Sequence, residues 1–332
     1  MNKTFKTILV AVLATSLISC NEEKSNLKCD PVLVHATVSV SGGPSGTKAT
    51  GVTATQEDKV SNLQLYVFDE NGMNEYYVNA GGQTNGEVIV EEGKKSIVAI
   101  VNAPEMNNIT RKTDLYNKTS KLSDNSLGSF VMTGEVEATV RSGSSISIDV
   151  TRLVSKVSIQ KITSAFHSSV YASKEFKVNS IYLINVAGNN TYSGTSEPTL
   201  WYNKLYNGTN DSGASSYSLL SDTVNKTIAF KSSYTTGHSF YCYPNPTVNE
   251  NFGSTWCARH TMLVVDAMLD GKQTYYPIEL PVIGRNKSLI IKELIITRKG
   301  SDYPYVPVPD GTCNISVEVV DWNVILNTTE TI

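Results

Sequence analysis

The sequence predicts an all-β protein made of two sandwich-like domains, and three observations carry that prediction. Apolar residues alternate over short runs instead of recurring at helical spacing. Turn-forming residues separate those runs at short intervals, a rhythm typical of sandwiches and barrels. Tyrosine is abundant at 17, beside frequent Ser, Thr and Asn, a mix that favours strands and turns. A length of 332 residues fits two domains of ~100–200 residues, each able to bury a core. Hydrophobic residues at 40% and charged ones at 18% exclude a disordered chain. Lys+Arg at 28 against Asp+Glu at 31 leaves no basic footprint, so nucleic acid is not an expected partner.

In chain order, residues 32–40 alternate, with Val32, Val34, Ala36, Val38 and Val40 on one face. Residues 63–68 run into Asp69-Glu70-Asn71-Gly72, and Tyr76-Tyr77-Val78 follows. Asn-Gly between two β-rich runs is a strong hairpin signal. Residues 86–90, 96–101, 130–132 and 145–150 continue the set, and 110–122 alone in this half reads as a short helix. A second set begins at 154–159 and continues through 181–186, 240–243, 262–265 and 288–296. The sets meet near residue 151, giving domains of 49–151 and 152–332.

The first twenty residues read as an address. Lys3 and Lys6 precede an uncharged, mostly apolar run at 8–18, too short for the ~20 residues a membrane-crossing helix needs. A basic start, a short apolar stretch and a small residue before the cut are the parts of a secretory signal. Leu17-Ile18-Ser19-Cys20 resembles the bacterial lipobox, which implies that Cys20 is acylated and anchored by roughly 0.8 kcal/mol per buried CH₂. Glu22-Glu23 resemble the acidic signal that sends such lipoproteins to the cell surface in Bacteroidetes.

No catalytic constellation is expected. Gly-x-Ser-x-Gly, a phosphate loop, Gly-x-Gly-x-x-Gly and His-Glu-x-x-His are all missing from the sequence. Asp69 and Glu70 would point to opposite strand faces beside a turn, which suits solvated carboxylates. His238, Cys242, Cys257 and His260 are zinc-ligand types, but four strand residues span ~13 Å, too far for one metal. Neither a metal nor a cofactor is expected. In an exported chain Cys242 and Cys257 would form a disulfide or remain buried thiols. Trp201, Tyr202 and Tyr206 could stack on apolar sugar faces, which would make the chain a tip or anchored adhesin binding a host glycan.

The two ends of the chain complement one another. Strand 32–40 is followed by Ser41-Gly42-Gly43-Pro44-Ser45-Gly46-Thr47-Lys48, a linker whose Lys48–Ala49 bond offers a trypsin-type site. Losing the first strand would expose a hydrophobic groove with unpaired backbone groups, a template for strand addition. At the other end residues 315–319 alternate, and Trp322, Val324 and Leu326 share a face of a last strand in the stretch that ends at Ile332. Such a strand from another subunit could fill the groove by donor-strand complementation.

Several stretches resemble the Bacteroidetes fimbrillins: residues 66–72, 93–104, 130–134, 152–157, 240–246, Tyr275-Tyr276-Pro277-Ile278, Arg285-Asn286-Lys287 and Val319-Val320-Asp321-Trp322. The resemblance implies two transthyretin-like β domains and export as an outer-membrane lipoprotein. It implies removal of the N-terminal strand by a trypsin-like protease, and polymerisation into an extracellular fimbrium with copies of itself and other pilus subunits. On it, 1–20 is the signal, 21–48 a propeptide carrying the placeholder strand, Lys48–Ala49 the processing bond and 322–332 the donor strand. The best-known members are cut after arginine, whereas no arginine precedes Arg111, so the protease must accept lysine; Lys59 is the alternative site. A Cys29–Cys313 bridge would tether the leaving strand, which favours Cys242–Cys257. Asp222-Thr223-Val224 resembles an O-glycosylation motif of these bacteria.

Overall fold

The computed structural model describes residues 31–40, 54–206, 209–210, 218–247, 256–309 and 313–322. Seven strands build the main sheet of the N-terminal half: β1 (Val32–Val40), β2 (Leu63–Phe68), β3 (Asn74–Gly81), β4 (Asn85–Val90), β5 (Gly93–Val101), β6 (Met132–Val140) and β7 (Ser145–Arg152). They form one sheet in the order β3-β2-β5-β6-β7-β1-β4. The sheet folds over so that β4 faces β2. A Cβ on Gly86 would stand 2.6 Å from a Leu65 methyl across the fold. The hinge is short, since β6 and β7 pair only at Met132–Arg152 and Thr133–Thr151. Gly134, next along β6, allows that approach: a Cβ there would lie 2.2 Å from the Asp149 carbonyl oxygen.

The expected helix at 110–122 is shorter in the structure. Lys112–Asn117 is helical, then come a strand at Thr119–Lys121 and a 3-10 turn at Leu122–Asp124. Only Leu115 of the helix is buried, too little apolar surface to hold a longer one.

The C-terminal half contains β8 (Ser155–Ser164), β9 (Phe176–Ile184), β10 (Ser221–Thr227), β11 (Ser232–Cys242), β12 (Met262–Leu269), β13 (Lys272–Glu279), β14 (Lys287–Ile296) and β15 (Cys313–Asp321). One four-stranded sheet runs β10-β9-β12-β13 and the other β11-β8-β14-β15. The β8–β14 pair is parallel and the other pairs are antiparallel. Sequence reading passed over β10 and β13. No residue of β10 is buried, so it shows no apolar alternation. The strand β13 follows a tight Asp270-Gly271 turn in which both residues have positive φ, 51° and 74°, as a two-residue hairpin requires.

The two halves do not keep separate cores. A first apolar cluster fills the folded N-terminal sheet, using Leu65, Val67, Ala99 and Val150 among others. A second runs from Tyr66, Phe68, Val98 and Ile100 on the other face of β2 and β5 through Phe130 to Val157, Ile159 and Leu263. Every residue of β2 is therefore buried. Its one polar member, Gln64, donates to the Ala103 carbonyl at 3.1 Å and so meets the cost of burial.

Candidate functional site

The strand β1 lies inside its sheet, not at an edge. It pairs antiparallel with β4, Val34 opposite Val88 and Ala36 opposite Gly86. On the other side it runs parallel to β7, Ala36 opposite Ile146 and Val38 opposite Ile148. Val34, Ala36 and Val38 are 0%, 1% and 5% exposed, while His35, Thr37 and Ser39 face solvent. Val32 and Val40, on the same face, are half-buried at the strand ends. Each fully buried valine stabilises the sheet by about 2 kcal/mol, and the two backbone ladders add to that. Yet the chain leaves β1 only through residues 41–53, which lie outside the described residues, as do Cys20, Lys48 and Ala49.

The second feature is a buried polar cluster where the halves join. Glu57, in a short helical turn at Ala54–Glu57, accepts from Lys156 Nζ and the Tyr241 hydroxyl, each at 2.7 Å, through one oxygen. Its other oxygen accepts from Trp322 Nε1 at 2.9 Å. Burial alone would raise the Glu57 pKa, but the Lys156 ammonium and these three donors pull it below the ordinary carboxylate value. Arg152, the last residue of β7, is fully buried beside it. Its guanidinium pairs with Asp58, donates to the Glu57 carbonyl at 3.1 Å and to Asn286 Oδ1 at 3.0 Å, and lies 4.6 Å over the Trp322 ring. Burial lowers its pKa to about 10, so it stays charged at neutral pH. Arg285 closes the other side, donating to the Thr151 carbonyl and to Thr133 Oγ1, each at 2.8 Å, across the β6–β7 hinge.

Trp322 is thus not the free first residue of a donor strand. It is 5% exposed, stacked on Tyr241 and edge-on to Phe130. Val324, Leu326 and Ile332 lie outside the described residues. The Cys242–Cys257 disulfide is not formed: Cys242 is a free thiol, sealed in the core with its pKa pushed to about 12 by burial. Among the described residues no three His, Cys, Asp or Glu side chains are grouped to hold a metal. His238 instead meets Asp222 at 2.5 Å and Tyr234 at 3.2 Å, and His260 lies 3.3 Å from Glu279.

The sugar platform also changes. Trp201 is 8% exposed and packs edge-on against Trp256, so its face is not offered to a ligand. Tyr202 is half-buried, and the Tyr206 side chain lies outside the described residues. Asp69 caps its own turn, accepting from the Asn71 and Met73 amides, as a solvated turn carboxylate does. Thr223 stands exposed on β10.

The chain is built of β sheets, and its first described strand is paired on both sides inside its sheet. Residues 36–199 match the family model of the major fimbrial subunit protein, FimA. No curated protein matches it. Among solved structures, a fimbrilin from Porphyromonas gingivalis W83 superposes with a TM-score of 0.63 at 16% identity, over 89% of this chain and 99% of that one. A candidate cell adhesion protein from Bacteroides eggerthii gives 0.64 at 17% identity, over 89% and 97%. The tip fimbrial protein Mfa3 from Porphyromonas gingivalis, truncated at its C-terminus, gives 0.53 at 14%, over 88% and 99%. At such identities the likeness is one of fold. The family match over 36–199, together with the shared fold, supports a pilin or adhesion role.

Proposed function

We propose that the chain is exported as a lipoprotein on Cys20, cut at Lys48–Ala49 by a trypsin-like protease outside the outer membrane, and polymerised by donor-strand exchange. In this reading β1 is a placeholder and residues 323–332 of a neighbouring subunit replace it. The observation that carries the reading is the position of β1. Withdrawing it would leave β4 and β7 with facing unpaired edges over an apolar floor, a site that only another alternating strand fills well. The chain performs no catalysis of its own in this role, and adhesion follows from the polymer it builds.

The test is polymerisation after processing. Purified full-length protein is treated with trypsin and examined for SDS-resistant ladders or filaments, beside Lys48→Ala and a chain ending at Trp322. Ladders are expected only from the intact, cleavable chain. Ladders from the shortened chain at the wild-type rate would show that residues 323–332 are not the donor. Ladders from Lys48→Ala would move the processing site.

A further inference from the structure

The buried cluster around Glu57 joins two parts of the chain that are far apart in sequence. Glu57 and Asp58 stand at the start of the chain that remains once residues 1–48 are removed, nine positions beyond Lys48. Trp322 is the last residue before 323–332. Its indole N–H ends on Glu57 at 2.9 Å, its ring lies under the Arg152 guanidinium, and its backbone N–H donates to the Asn286 carbonyl at 3.3 Å. The turn that carries Asn286 is built for the purpose: Asn286 holds a left-handed φ of 55° and donates its own N–H to Val154. A buried carboxylate is costly unless it is hydrogen-bonded, and here Lys156, Tyr241 and Trp322 all donate to it, with both oxygens engaged.

The arrangement holds Trp322 by three independent means: a charge-assisted hydrogen bond, a cation–π contact and aromatic packing. Packing alone would have served a structural plug. The indole hydrogen bond adds a fixed orientation, and with it a fixed direction for the chain leaving Trp322. We propose that Glu57 is a positioning residue for subunit assembly: through Trp322 it fixes where residues 323–332 leave the subunit, so that this strand is presented pre-oriented to the groove of the next. A donor segment rooted in one place loses less freedom on docking than one that swings from β15, and it docks faster. The role rests on the strand-exchange reading above.

Two measurements on the trypsin-treated full chain separate this role from simple stability. Hydrogen exchange is followed in the peptide covering 313–322 and, as a control, in β12. Ladder formation is timed at equal protein concentration. In Glu57→Ala the 313–322 amides exchange about tenfold faster and ladders form about tenfold more slowly, the scale expected when one buried charged partner is lost, while β12 is unchanged. Trp322→Phe, which keeps the stack and loses the N–H, behaves the same way in a fully folded protein. Glu57→Gln, which keeps an acceptor for the indole, restores the ladder rate to within about twofold of wild type.

Unchanged exchange at 313–322 in Glu57→Ala and Trp322→Phe would show that Glu57 does not hold Trp322, and would overturn the proposal. Faster exchange with wild-type ladder rates would overturn the positioning role while leaving the contact intact. If wild-type protein forms no ladders, the assembly reading fails and the positioning role falls with it. The exchange result still reports whether the anchor exists, so the two failures are told apart.

Discussion

Two strands of this protein read almost alike in sequence and live in opposite surroundings. Strand β1 alternates Val34, Ala36 and Val38 with polar residues, and so does β15 with Ile315, Val317 and Val319. In β1 the apolar row is sealed. In β15 it is 39%, 43% and 48% exposed, although its partners across the ladder, Leu294, Ile291 and Leu289, are fully buried. Residues directly opposite in a ladder share a face, so the β15 row points toward the sandwich interior and still meets solvent. Strand β15 is also the edge of its own sheet, with β14 on one side only, whereas β1 is paired on both sides. Alternation therefore reports which side of a strand faces the sandwich interior. How much of that side is covered depends on what the rest of the fold lays over it, and no local pattern carries that.

The contrast breaks most sharply under a charge. Val34→Asp would place a carboxylate among Leu65, Val88 and their neighbours with no partner, and should cost at least about 4 kcal/mol or prevent folding of the uncut protein. Val317→Asp, on the uncovered row, should cost less than about 1 kcal/mol. Urea melts of the two variants measure the difference. Similar losses would mean that β15 is covered in solution and that the two strands share one environment.

A smaller effect sharpens the same contrast at the backbone. At Gly134 a Cβ would meet the Asp149 carbonyl, a backbone atom that cannot step aside, so Gly134→Ala should cost about 1–3 kcal/mol and loosen the hinge that holds β7 against β6. At Gly284, in the turn leading to β14, the nearest atom is a Lys287 methylene at 3.8 Å, and alanine there should change stability by less than about 0.5 kcal/mol. Thermal melts of both variants check the pair, and equal shifts would remove the hinge from the account of what positions β1.

Much of this was legible before the fold was known. The faces of β1 follow from its alternation, and the β2–β3 hairpin from Asn71-Gly72. Strand β2 was legible as a strand but not as one buried on both faces, because its second cover comes from residues 102–131 and the C-terminal half, far away in sequence. The junction was half-visible. The stretches 152–157, 240–246, Arg285-Asn286-Lys287 and Asp321-Trp322 stood out one by one, and the structure brings Arg152, Lys156, Tyr241, Asn286 and Trp322 onto one cluster. Glu57, which ties them together, was missed. It is one carboxylate among many, in a four-residue turn, and its meaning lies wholly in partners 99 to 265 positions away. The Cys242–Cys257 bridge failed for the converse reason: elimination among cysteines says nothing of geometry, and Cys242 closes a core strand among apolar neighbours.

The gentlest probe is pH, and it separates the two regions again. Glu57 has a pKa lowered in the folded protein, because Lys156, Tyr241 and Trp322 favour its charged form more than burial opposes it. An unfolded glutamate titrates near ~4.3. A depressed folded value means that the folded state binds a proton less readily than the unfolded one. The stabilisation is therefore complete above about pH 4.3 and declines as pH falls through the lower folded value. The groups facing Glu57 are Lys156, which is ion-paired with it, Arg152, which stays charged across that range, Tyr241, which stays neutral, and Asp58, which is paired with Arg152. In Glu57→Gln the loss of stability between about pH 5 and 3 should be shallower than in wild type, with the curves converging at the acid end. Acid melts followed by hydrogen exchange at 313–322 should show the root of β15 loosening before β1 does. If Glu57→Gln follows the wild-type curve throughout, the carboxylate is not charged in the fold, and the junction is held by packing of Trp322 on Tyr241 and Phe130 alone.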